Sequence, residues 1–526
     1  MSAIGNMARL TRAGAILAWS GARVFPEDTE LPPPLALFGR VTKPLRKNGA
    51  DKNGNEVRLS EALTALGPSY IKLGQFLATR DDLVGRDIAR DLASLQDRLP
   101  PFSETEARAA VEEALGAPIE TLFAEFGPPV AAASIAQVHK AAVREPDGSL
   151  RAVAVKVLRP GIEQRFQKDL DTYLFAARMV EQFHAPSRRL RPVAVVDTLA
   201  KSVAIEMDLR MEAAAISEMA DNIKNDAGFR VPRVDWNRSA RRAMTLDWID
   251  GIPIADRDAL VRAGLDPKAI GATLMQSFLR HAMRDGFFHA DMHPGNLFVA
   301  ADGDIVAVDF GIMGRLGLKE RRFLAEILHG FITRDYQRVA EVHFEAGYVP
   351  RRHSVPLFAQ ALRAIGEPIM GRPSSEISMG QLLGQLFQYT EVFDMQTRPE
   401  LLMLQKTMVV VEGVGRSLDP DLNIWVVAEP VVKEWMEQTF GPGAQFEAAT
   451  EGVASVGRFV GDIPKLLGQV ERTSDAFADM VEDGLRLDND SVERLAEAQS
   501  RRGRVSRAAV WIGAIALVVI ALTLLF

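Results

Sequence analysis

Cysteine is absent from the sequence. Its absence excludes disulfides, thiolate metal sites, iron–sulfur clusters and a cysteine nucleophile, so any metal must bind oxygen or imidazole. Positive charge is in the minority, because 62 lysines and arginines stand against 69 acidic residues and the net charge is −7. This balance argues against a protein that binds nucleic acid by neutralising phosphates. The sequence also lacks a fixed-period repeat, which argues against a solenoid or a propeller.

The composition is that of a folded protein. Of 526 residues, 47% are hydrophobic and 25% are charged. This is too apolar for a disordered chain and predicts two globular units or one large elaborated unit.

The C-terminus departs from the pattern of a soluble protein. Ala508 to Phe526 is a run of 19 residues without a charge, and four arginines lie between positions 501 and 507. As a helix it would be roughly 28 Å long, close to the about 30 Å of a bilayer's hydrocarbon core. We therefore predict a transmembrane anchor, with a buried core helix as the alternative. The arginines favour the cytoplasmic side, so the prediction is an inner (cytoplasmic) membrane protein whose main part faces the cytoplasm.

The N-terminal segment, Met1 to Val24, is basic and partly apolar but too short to span a membrane. A secretory signal is one interpretation. A basic helix that lies on a membrane surface or packs against the domain is the other.

The rest of the chain alternates between helical and strand patterns. A helical block is predicted from Ser60 to Phe126, and apolar runs separated by turn residues then predict β-hairpins. The predicted strands are Val130 to Val143, Leu150 to Leu158, Arg242 to Trp248, Leu297 to Val299 and Ile305 to Val308. From Leu318 to about Glu497 the apolar spacing predicts helices. Breaks are predicted at Pro350, Gly371 to Pro373, Pro420 and Pro430.

The most informative segment runs from His289 to Asn296 and is followed, thirteen residues after the asparagine, by Asp309-Phe310-Gly311. Phosphoryl transfer needs a carboxylate that orients or deprotonates the acceptor, plus an Asn and an Asp that hold Mg²⁺. Asp291, Asn296 and Asp309 supply these oxygens at the spacing that protein kinases use. A solvated acidic loop is the structural alternative.

A metal triplet of His289, Asp291 and His293 is a competing interpretation of the same segment. Alternate residues point the same way only on an extended strand, whereas Pro294 and Gly295 predict a turn. A zinc or iron hydrolase or oxygenase is therefore disfavoured, and hydrogen bonding is the role we expect for the two histidines.

Upstream, the segment Val153-Ala154-Val155-Lys156 places a lysine on an apolar strand of the first hairpin. A buried lysine is costly unless its ammonium meets phosphate or carboxylate, so we predict that it binds the α- and β-phosphates of a nucleotide. A helical run from Val195 to Ala220 offers Glu206, Asp208 and Glu212 as partners. Asp208 and Glu212 share a face and Glu206 is displaced by about 120°, which makes two separate contacts possible, with a solvated helix face as the alternative for all three residues.

The first hairpin lacks the glycine-rich loop of protein kinases and carries alanines instead, at Ala131, Ala132 and Ala133, followed by Ser134. Small side chains allow phosphates to approach the backbone, but Cβ atoms restrict the glycine-only conformations. We therefore expect an altered nucleotide geometry.

One further motif runs from Gly67 to Gln75, GPSYIKLGQ, and is followed by Leu95-Gln96-Asp97-Arg98. Together with the alanine-rich loop, Glu206-Met207-Asp208 and the segment from His289 to Asn296, it resembles the UbiB family of atypical protein kinases, linked to ubiquinone biosynthesis. The resemblance covers roughly residues 40 to 440.

The resemblance implies an α+β, protein-kinase-like two-lobe fold with an N-terminal helical extension and an enlarged helical C-lobe, to which the run Ala508 to Phe526 adds a predicted C-terminal membrane helix. The implied organisation is a basic segment 1–40, an extension with a Lys-x-Gly-Gln lid 41–126, an N-lobe 127–250, a C-lobe 251–440, a helical linker 441–507 and an anchor 508–526. The lid would cover the place where a protein substrate otherwise docks. ATP and Mg²⁺ are the implied cofactors.

The resemblance also assigns roles by position. Catalytic roles fall to Asp291, Lys156, Glu212, Lys72, Gln75, Glu206 and Asp208; nucleotide contacts to Ala131, Ala132, Ala133, Ser134, Lys156, Asp247, Trp248 and Ile249; and Mg²⁺ ligation to Asn296 and Asp309. Glu212 is the preferred partner of Lys156, and the Glu-x-Asp pair faces the lid helix. Three departures from ordinary kinases stand out: a long insertion at Ile162 to Pro192, His-Ala-Asp in place of His-Arg-Asp, and no Ala-Pro-Glu after Asp309.

Three functions follow as hypotheses. The first is a membrane-anchored ATPase or kinase that acts on polyprenyl quinone precursors, membrane lipid or ubiquinone biosynthesis enzymes. The second is a pseudokinase scaffold that binds nucleotide and recruits those enzymes without phosphoryl transfer. The third is a conventional Ser/Thr protein kinase. None of the three involves nucleic acid.

Overall fold

A computed structural model describes residues 3–20, 59–78, 80, 84–92, 94–95, 99–183, 188, 190–368, 389, 392–395 and 399–440. Contacts divide the chain into two units, Met1–Glu437 and Gln438–Phe526. Only the last three residues of the final described helix belong to the second unit. The predictions for 441–507 and 508–526, and Gln96 to Arg98 of the family motif, lie outside the described residues.

The predicted membrane location is corrected. Among the residues described, no helix is both long enough and apolar enough to cross a bilayer. The run Ala508 to Phe526, which carried the prediction, lies outside those residues.

Helices dominate the chain before the first strand. They are α1 Ala3–Ser20, α2 Leu59–Leu66, α3 Pro68–Ala78, α4 Arg86–Leu92, α5 Glu104–Leu115 and α6 Ile119–Leu122. A capping box starts α5, because Ser103 accepts from the Glu106 N–H while the Glu106 carboxylate accepts from the Ser103 N–H. Among the described residues, the predicted helical block is confirmed as several helices that end at Leu122, and the first strand begins at Glu125.

Ten strands are described, arranged in three sheets. They are β1 Glu125–Ala132, β2 Ala136–Arg144, β3 Leu150–Leu158, β4 Phe229–Arg230, β5 Ala243–Asp247, β6 Ile252–Pro253, β7 Phe287–His289, β8 Leu297–Val299, β9 Ile305–Ala307 and β10 Met313–Arg315. The largest antiparallel sheet has the order β1-β2-β3-β5, a second has β4-β9-β8-β6, and β7 pairs with β10. The strands β3, β5, β8 and β9 follow the sequence prediction closely.

The predicted strand Val130 to Val143 is wrong as one element. It spans the end of β1, a short loop and most of β2, because the Ala133 N–H donates to the Ala136 carbonyl at 2.8 Å and reverses the chain. Small residues allow so tight a reversal, and the apolar composition continues through it. The apolar pattern alone therefore did not mark the loop, although comparison with the kinase glycine-rich loop placed an alanine-rich loop at these positions.

The two faces of β3 bury different partners. Val153, Val155 and Val157 are fully buried in a cluster that includes Ala107 and Val111 of α5. Alternation along the strand therefore directs the intervening side chains to the opposite face of the sheet.

Three helices follow β3: α7 Ile162–Phe183, α8 Pro192–Glu206 and α9 Leu209–Asn222. The insertion is helical, as predicted. The single run Val195 to Ala220 is wrong, because the chain breaks at Met207 and Asp208, and the Asp208 carboxylate caps α9 by accepting from the Arg210 N–H. Asp208 therefore precedes the helix whose face it was predicted to share with Glu212.

The remaining helices form the second half of the described chain. They are α10 Arg257–Arg262, α11 Pro267–Arg280, α12 Leu318–Ile332, α13 Tyr336–Glu345, α14 Val355–Gly366, α15 Pro399–Leu418 and α16 Ile424–Phe440, with a π-helical turn at His281–Asp285. Pro350 and Pro420 lie between helices, as predicted. The break at Pro430 is wrong, because Pro430 lies inside α16. Burial of Val431, Val432 and Trp435 in the main core offsets the helix bond that proline forfeits. Gly371 to Pro373 lie outside the described residues.

Candidate functional site

The strand β3 places Lys156 on the face of the sheet opposite the α5 cluster. Its Nζ lies 2.7 and 2.9 Å from the two carboxylate oxygens of Glu212 and 3.1 Å from Asp309 Oδ1. Glu212, in the first turn of α9, is 8% exposed, whereas the Asp309 side chain is 52% exposed. The lysine therefore bridges an inner carboxylate and an outer one that solvent can reach.

These charges perturb one another. Burial would lower the pKa of Lys156, but the negative charges of Asp309 and Glu212 outweigh it and raise that pKa above the ordinary lysine value. The charge of Lys156 lowers the pKa of Asp309 to about 2. Burial raises the pKa of Glu212, with Lys156 acting in the opposite direction. At neutral pH the site therefore presents a charged lysine and an ionised outer carboxylate.

A second lysine reaches the same site from α3. Lys72 Nζ lies 2.7 Å from Glu206 Oε2 at the end of α8, and its charge contributes to lowering the pKa of Asp309. Gln75 lies three residues further along the same helix and is half-buried. Asp208 is not part of this contact, because its carboxylate pairs with Arg210 at 2.6 Å. Of the three acidic residues that the sequence offered as partners, Glu206 pairs with Lys72 and Glu212 with Lys156.

The helix α3 is held by the inserted helix α7, a support that sequence reasoning missed. The Ser69 hydroxyl donates to the Asp169 carboxylate, and the Tyr70 ring meets the edge of Tyr173 at 5.4 Å. The Arg165 guanidinium donates to the Leu66 carbonyl at 3.3 Å. The three α7 residues are spaced by four along the helix, so they form one stripe. That spacing is the sequence signal from which this support could have been predicted.

The catalytic-loop candidates lie between β7 and β8. The Ala290 N–H donates to the Ile312 carbonyl at 3.0 Å, which continues the pairing of β7 with β10. The Asn296 side-chain amide donates to the Asp291 carbonyl at 3.1 Å, and its own backbone carbonyl accepts from Val308 at 2.9 Å. The loop is thereby closed on the segment that leads into Asp309, with the Asp291 side chain exposed.

The Asp309 backbone has φ +62°, a left-handed conformation that is uncommon for a residue other than glycine. Phe310 behind it is fully buried and meets the His289 ring edge-on at 4.9 Å. Such strained residues cluster at functional sites, where the surrounding packing holds them. The packing of Phe310 anchors the aspartate at the mouth of the site.

Both ring nitrogens of His289 hydrogen-bond to backbone. Nδ1 accepts from the Asp291 N–H at 3.1 Å, so Nε2 carries the proton that is donated to the Val308 carbonyl at 3.3 Å. Burial lowers the pKa of His289, and the neutral ring needs no counter-charge. His293 accepts from the Gly295 N–H. In the residues described, no cluster of three His, Asp or Glu side chains could hold a metal, which argues against the metal triplet.

The oxygens at Asn296 and Asp309 suit Mg²⁺. Because the Asn296 amide nitrogen already donates to Asp291, its Oδ1 is the atom left to act as a ligand. Asp309 is ionised and solvent can reach it. One amide and one carboxylate oxygen, completed by waters and phosphate oxygens, form the kind of ligand set that Mg²⁺ takes in nucleotide sites.

The predicted nucleotide contacts divide into two groups. Ala131, Ala132, Ala133 and Ser134 form the end of β1 and the loop before β2. In the second group, residues 247–249, the Asp247 N–H donates to the Arg233 carbonyl at 2.9 Å and the Trp248 N–H to the Ala152 carbonyl at 3.1 Å. An adenine would therefore have to bind these two residues through their carbonyl groups or use Ile249.

Thr407, on α15, was also missed. Its buried hydroxyl lies 3.0 Å from the Ala290 carbonyl, directly before Asp291, and 2.9 Å from the Met403 carbonyl of its own helix. The pair is separated by 117 positions, and no local sequence pattern marks it.

Comparisons with known proteins agree with this geometry. The ABC1 atypical kinase-like domain matches residues 94–343 and the UbiB helical domain matches residues 362–423. A Marinobacter nauticus protein named probable protein kinase UbiB is 42% identical over 445 residues, which are 83% of this chain and 80% of that protein. A protein of the same name from Aeromonas salmonicida is 40% identical over 470 residues, 88% of this chain and 85% of its own.

One solved structure, the complex of Rv3197 with erythromycin from Mycobacterium tuberculosis, is 26% identical. It covers 70% of this chain and 93% of its own, with a TM-score of 0.48. A likeness at that score transfers no structural detail. The match to the ABC1 domain includes Lys156, Asp291 and Asp309, and the match to the helical domain includes Thr407.

Proposed function

The chain belongs to the UbiB family of atypical kinases, and from that premise we propose that it binds Mg-ATP and transfers or hydrolyses the terminal phosphoryl group in support of ubiquinone biosynthesis. The observation that carries the proposal is the position of Lys156 Nζ between Glu212 and Asp309. Glu212 holds the buried ammonium in place. The ammonium can therefore exchange its contact with Asp309 for a contact with phosphate without changing position.

Each residue has a task in this proposal. Glu212 fixes Lys156, which binds the α- and β-phosphates. Asn296 and Asp309 would hold Mg²⁺, which would neutralise charge on the phosphates. Asp291, exposed at the mouth of the loop, accepts the proton of the attacking hydroxyl or water. The alanine-rich loop covers the phosphates, and adenine contacts the backbone around Ile249.

We further propose a small acceptor, a polyprenyl phenol of the quinone pathway, in preference to a protein. The support is the packing of α3, whose Lys72 pairs with Glu206 beside the Lys156 site while Ser69 and Tyr70 fix the helix to α7. Lys72 also lies close enough to Asp309 to lower its pKa, so α3 lies beside the Asp309 part of the site, where it would compete with an extended peptide. Water serves as the acceptor when no phenol is bound.

The test is Mg²⁺-dependent ATP hydrolysis by the full chain, with and without a phenol that resembles a quinone head group. We expect Asp309→Asn and Asp291→Asn each to lower turnover by about a hundredfold or more. Asp258→Asn, an exposed aspartate in the first turn of α10, is the matched control and should leave it unchanged. Wild-type turnover in Asp309→Asn would exclude the proposal.

A nucleotide-binding scaffold is the second candidate. It is favoured by the ion pairs of the two lysines. Lys156 already pairs with Glu212 and Asp309, and Lys72 already pairs with Glu206. Tight Mg-ATP binding without turnover, even with the phenol present, would support the scaffold and direct the search to partner enzymes.

A further inference from the structure

The alanine-rich loop is tied to the strand that carries Lys156. Arg159, the first residue after β3, donates from Nε at 3.0 Å and from a terminal nitrogen at 2.8 Å to the same carbonyl, that of Ala133. Its backbone N–H donates to the Ile135 carbonyl at 2.8 Å. Arg159 thus binds the carbonyls of Ala133 and Ile135, two residues of the short turn that leads into β2.

The same arginine reaches the segment that precedes α5. Its terminal nitrogen donates to the Pro100 carbonyl at 2.9 Å, and its guanidinium lies 5.6 Å from the centre of the Phe102 ring. Hydrogen bonds of a charged donor are the stronger kind, and the planar guanidinium can serve two carbonyls and an aromatic face together. The loop is therefore held between β3 and residues 100–102.

A second bridge joins Phe102 to β2. The fully buried Gln137 side chain accepts from the Phe102 N–H at 3.0 Å and donates to the Phe102 carbonyl at 3.3 Å. It also contacts His139 Nε2 at 2.8 Å, and His139 Nδ1 lies 2.8 Å from the Gly127 carbonyl of β1. A buried, connected network of this kind fixes the positions of its members.

From these contacts we propose that Arg159 is a positioning residue that clamps the alanine-rich loop to residues 100–102, and that the clamp raises nucleotide affinity by holding the loop in its binding conformation. The proposal rests on the proposed function for its second half. A loop that is already ordered loses little conformational entropy when phosphates bind, whereas a loose one must be ordered at that moment. Residues N-terminal to the sheet would then control how tightly nucleotide is held.

The experiment uses the full chain and the variants Arg159→Gln, Arg159→Lys and Arg144→Gln. Arg144 is exposed at the far end of β2 and serves as the matched control. Hydrogen exchange of the amides of residues 132–135 is measured without nucleotide, and the Kd values for Mg-ATP and Mg-ADP are measured separately. Thermal unfolding confirms that each variant is folded at the working temperature.

We expect Arg159→Gln to accelerate loop exchange by about tenfold and to weaken both nucleotides by about tenfold. Arg159→Lys, which can still donate to the Ala133 carbonyl, should give exchange rates and Kd values between those of Arg159→Gln and the wild type. Arg144→Gln should match the wild type. Because exchange is read without nucleotide, a direct contact of Arg159 with phosphate cannot produce that result.

Unchanged loop exchange in folded Arg159→Gln would overturn the clamp. Faster exchange with unchanged Kd values would overturn its positioning role. Absence of Mg-ATP binding by the wild type would overturn the proposed function and, with it, the positioning role. In that case the exchange result alone would still decide whether the clamp exists.

Discussion

Lys156 and Glu212 form a buried pair whose two halves depend on each other. Removing one member of such a pair costs about 3–5 kcal/mol, because the other charge stays buried without compensation, whereas apolar replacement of both is often neutral. We expect Lys156→Met to lower the free energy of unfolding by about 3 kcal/mol, and the double variant Lys156→Met/Glu212→Met to recover most of the loss. Urea denaturation measures both.

The stability of Lys156→Met should also depend on pH. With Lys156 gone, burial holds the folded-state pKa of Glu212 above its unfolded value. The folded state then binds a proton more readily than the unfolded state. The stability loss of Lys156→Met should therefore be smallest at acid pH and grow as pH rises through the folded-state pKa of Glu212. A double variant as unstable as Lys156→Met would contradict the pairing.

His281 is a buried histidine that no proposed step uses. Among the described residues neither of its ring nitrogens has a hydrogen-bond partner, and burial, helped by Arg284, Arg280 and His289, lowers its pKa to about 3. The unfolded chain has an ordinary histidine pKa of about 6.5 and takes up the proton first. Stability should therefore fall as pH drops below about 6.5, by about 1.4 kcal/mol per pH unit from this residue.

The matched variant for this prediction is His281→Leu, which has no ring nitrogen to satisfy. Urea denaturation between pH 7 and pH 5 should show a pH slope about one proton smaller than that of the wild type. His329→Gln, at a half-buried position in α12, is the control. A slope in His281→Leu equal to the wild-type slope would show that the buried histidine is not its source.

At the scale of elements, sequence pattern predicted the strands of both hairpins and most helices, since each carries its own periodicity. It failed where that periodicity continued across a break. Apolar residues run through the loop between β1 and β2, and through the junction of α8 with α9, so neither break left a gap in the pattern. Asp208, an aspartate able to cap a helix, was the sequence signal for the second break.

That cap gives an element-scale prediction. Asp208→Ala removes the acceptor for the Arg210 N–H and should cost about 1 kcal/mol of stability. Asp208→Asn keeps the acceptor and loses an exposed charge pair of small value, so it should stay close to wild type in urea denaturation and in ATP turnover. A large loss of turnover in Asp208→Asn would instead place Asp208 in the site with Glu206, as the family pattern implied.

At the scale of the whole molecule, the site is assembled from distant parts of the chain. Motif spacing predicted three of its residues, because Asp291, Asn296 and Asp309 lie within one short stretch. It could not indicate the supports, since Ser69 meets Asp169 across 100 positions and Thr407 meets Ala290 across 117. Such contacts follow from the packing of whole elements, which no local pattern encodes.

The contact of Thr407 with Ala290 joins the helical-domain region to the catalytic loop and can be tested alone. Thr407→Val keeps the shape of the side chain but leaves the buried Ala290 carbonyl without this donor, a loss of about 1–3 kcal/mol. Because that carbonyl directly precedes Asp291, we expect turnover to fall about tenfold. The KM for ATP should stay unchanged, since Lys156 and Asp309 do not depend on the contact.

Two variants make the result specific. Thr407→Ser keeps the hydroxyl and should keep turnover, whereas Thr198→Val, which removes a comparable but exposed hydroxyl bond to Ala194 within α8, should change neither stability nor turnover by much. Steady-state kinetics and urea denaturation of the three variants separate the outcomes. If Thr407→Val loses stability but keeps its turnover, α15 supports the fold without setting the position of Asp291, and the pairing with β10 and the contacts of Asn296 and His289 suffice to hold the loop.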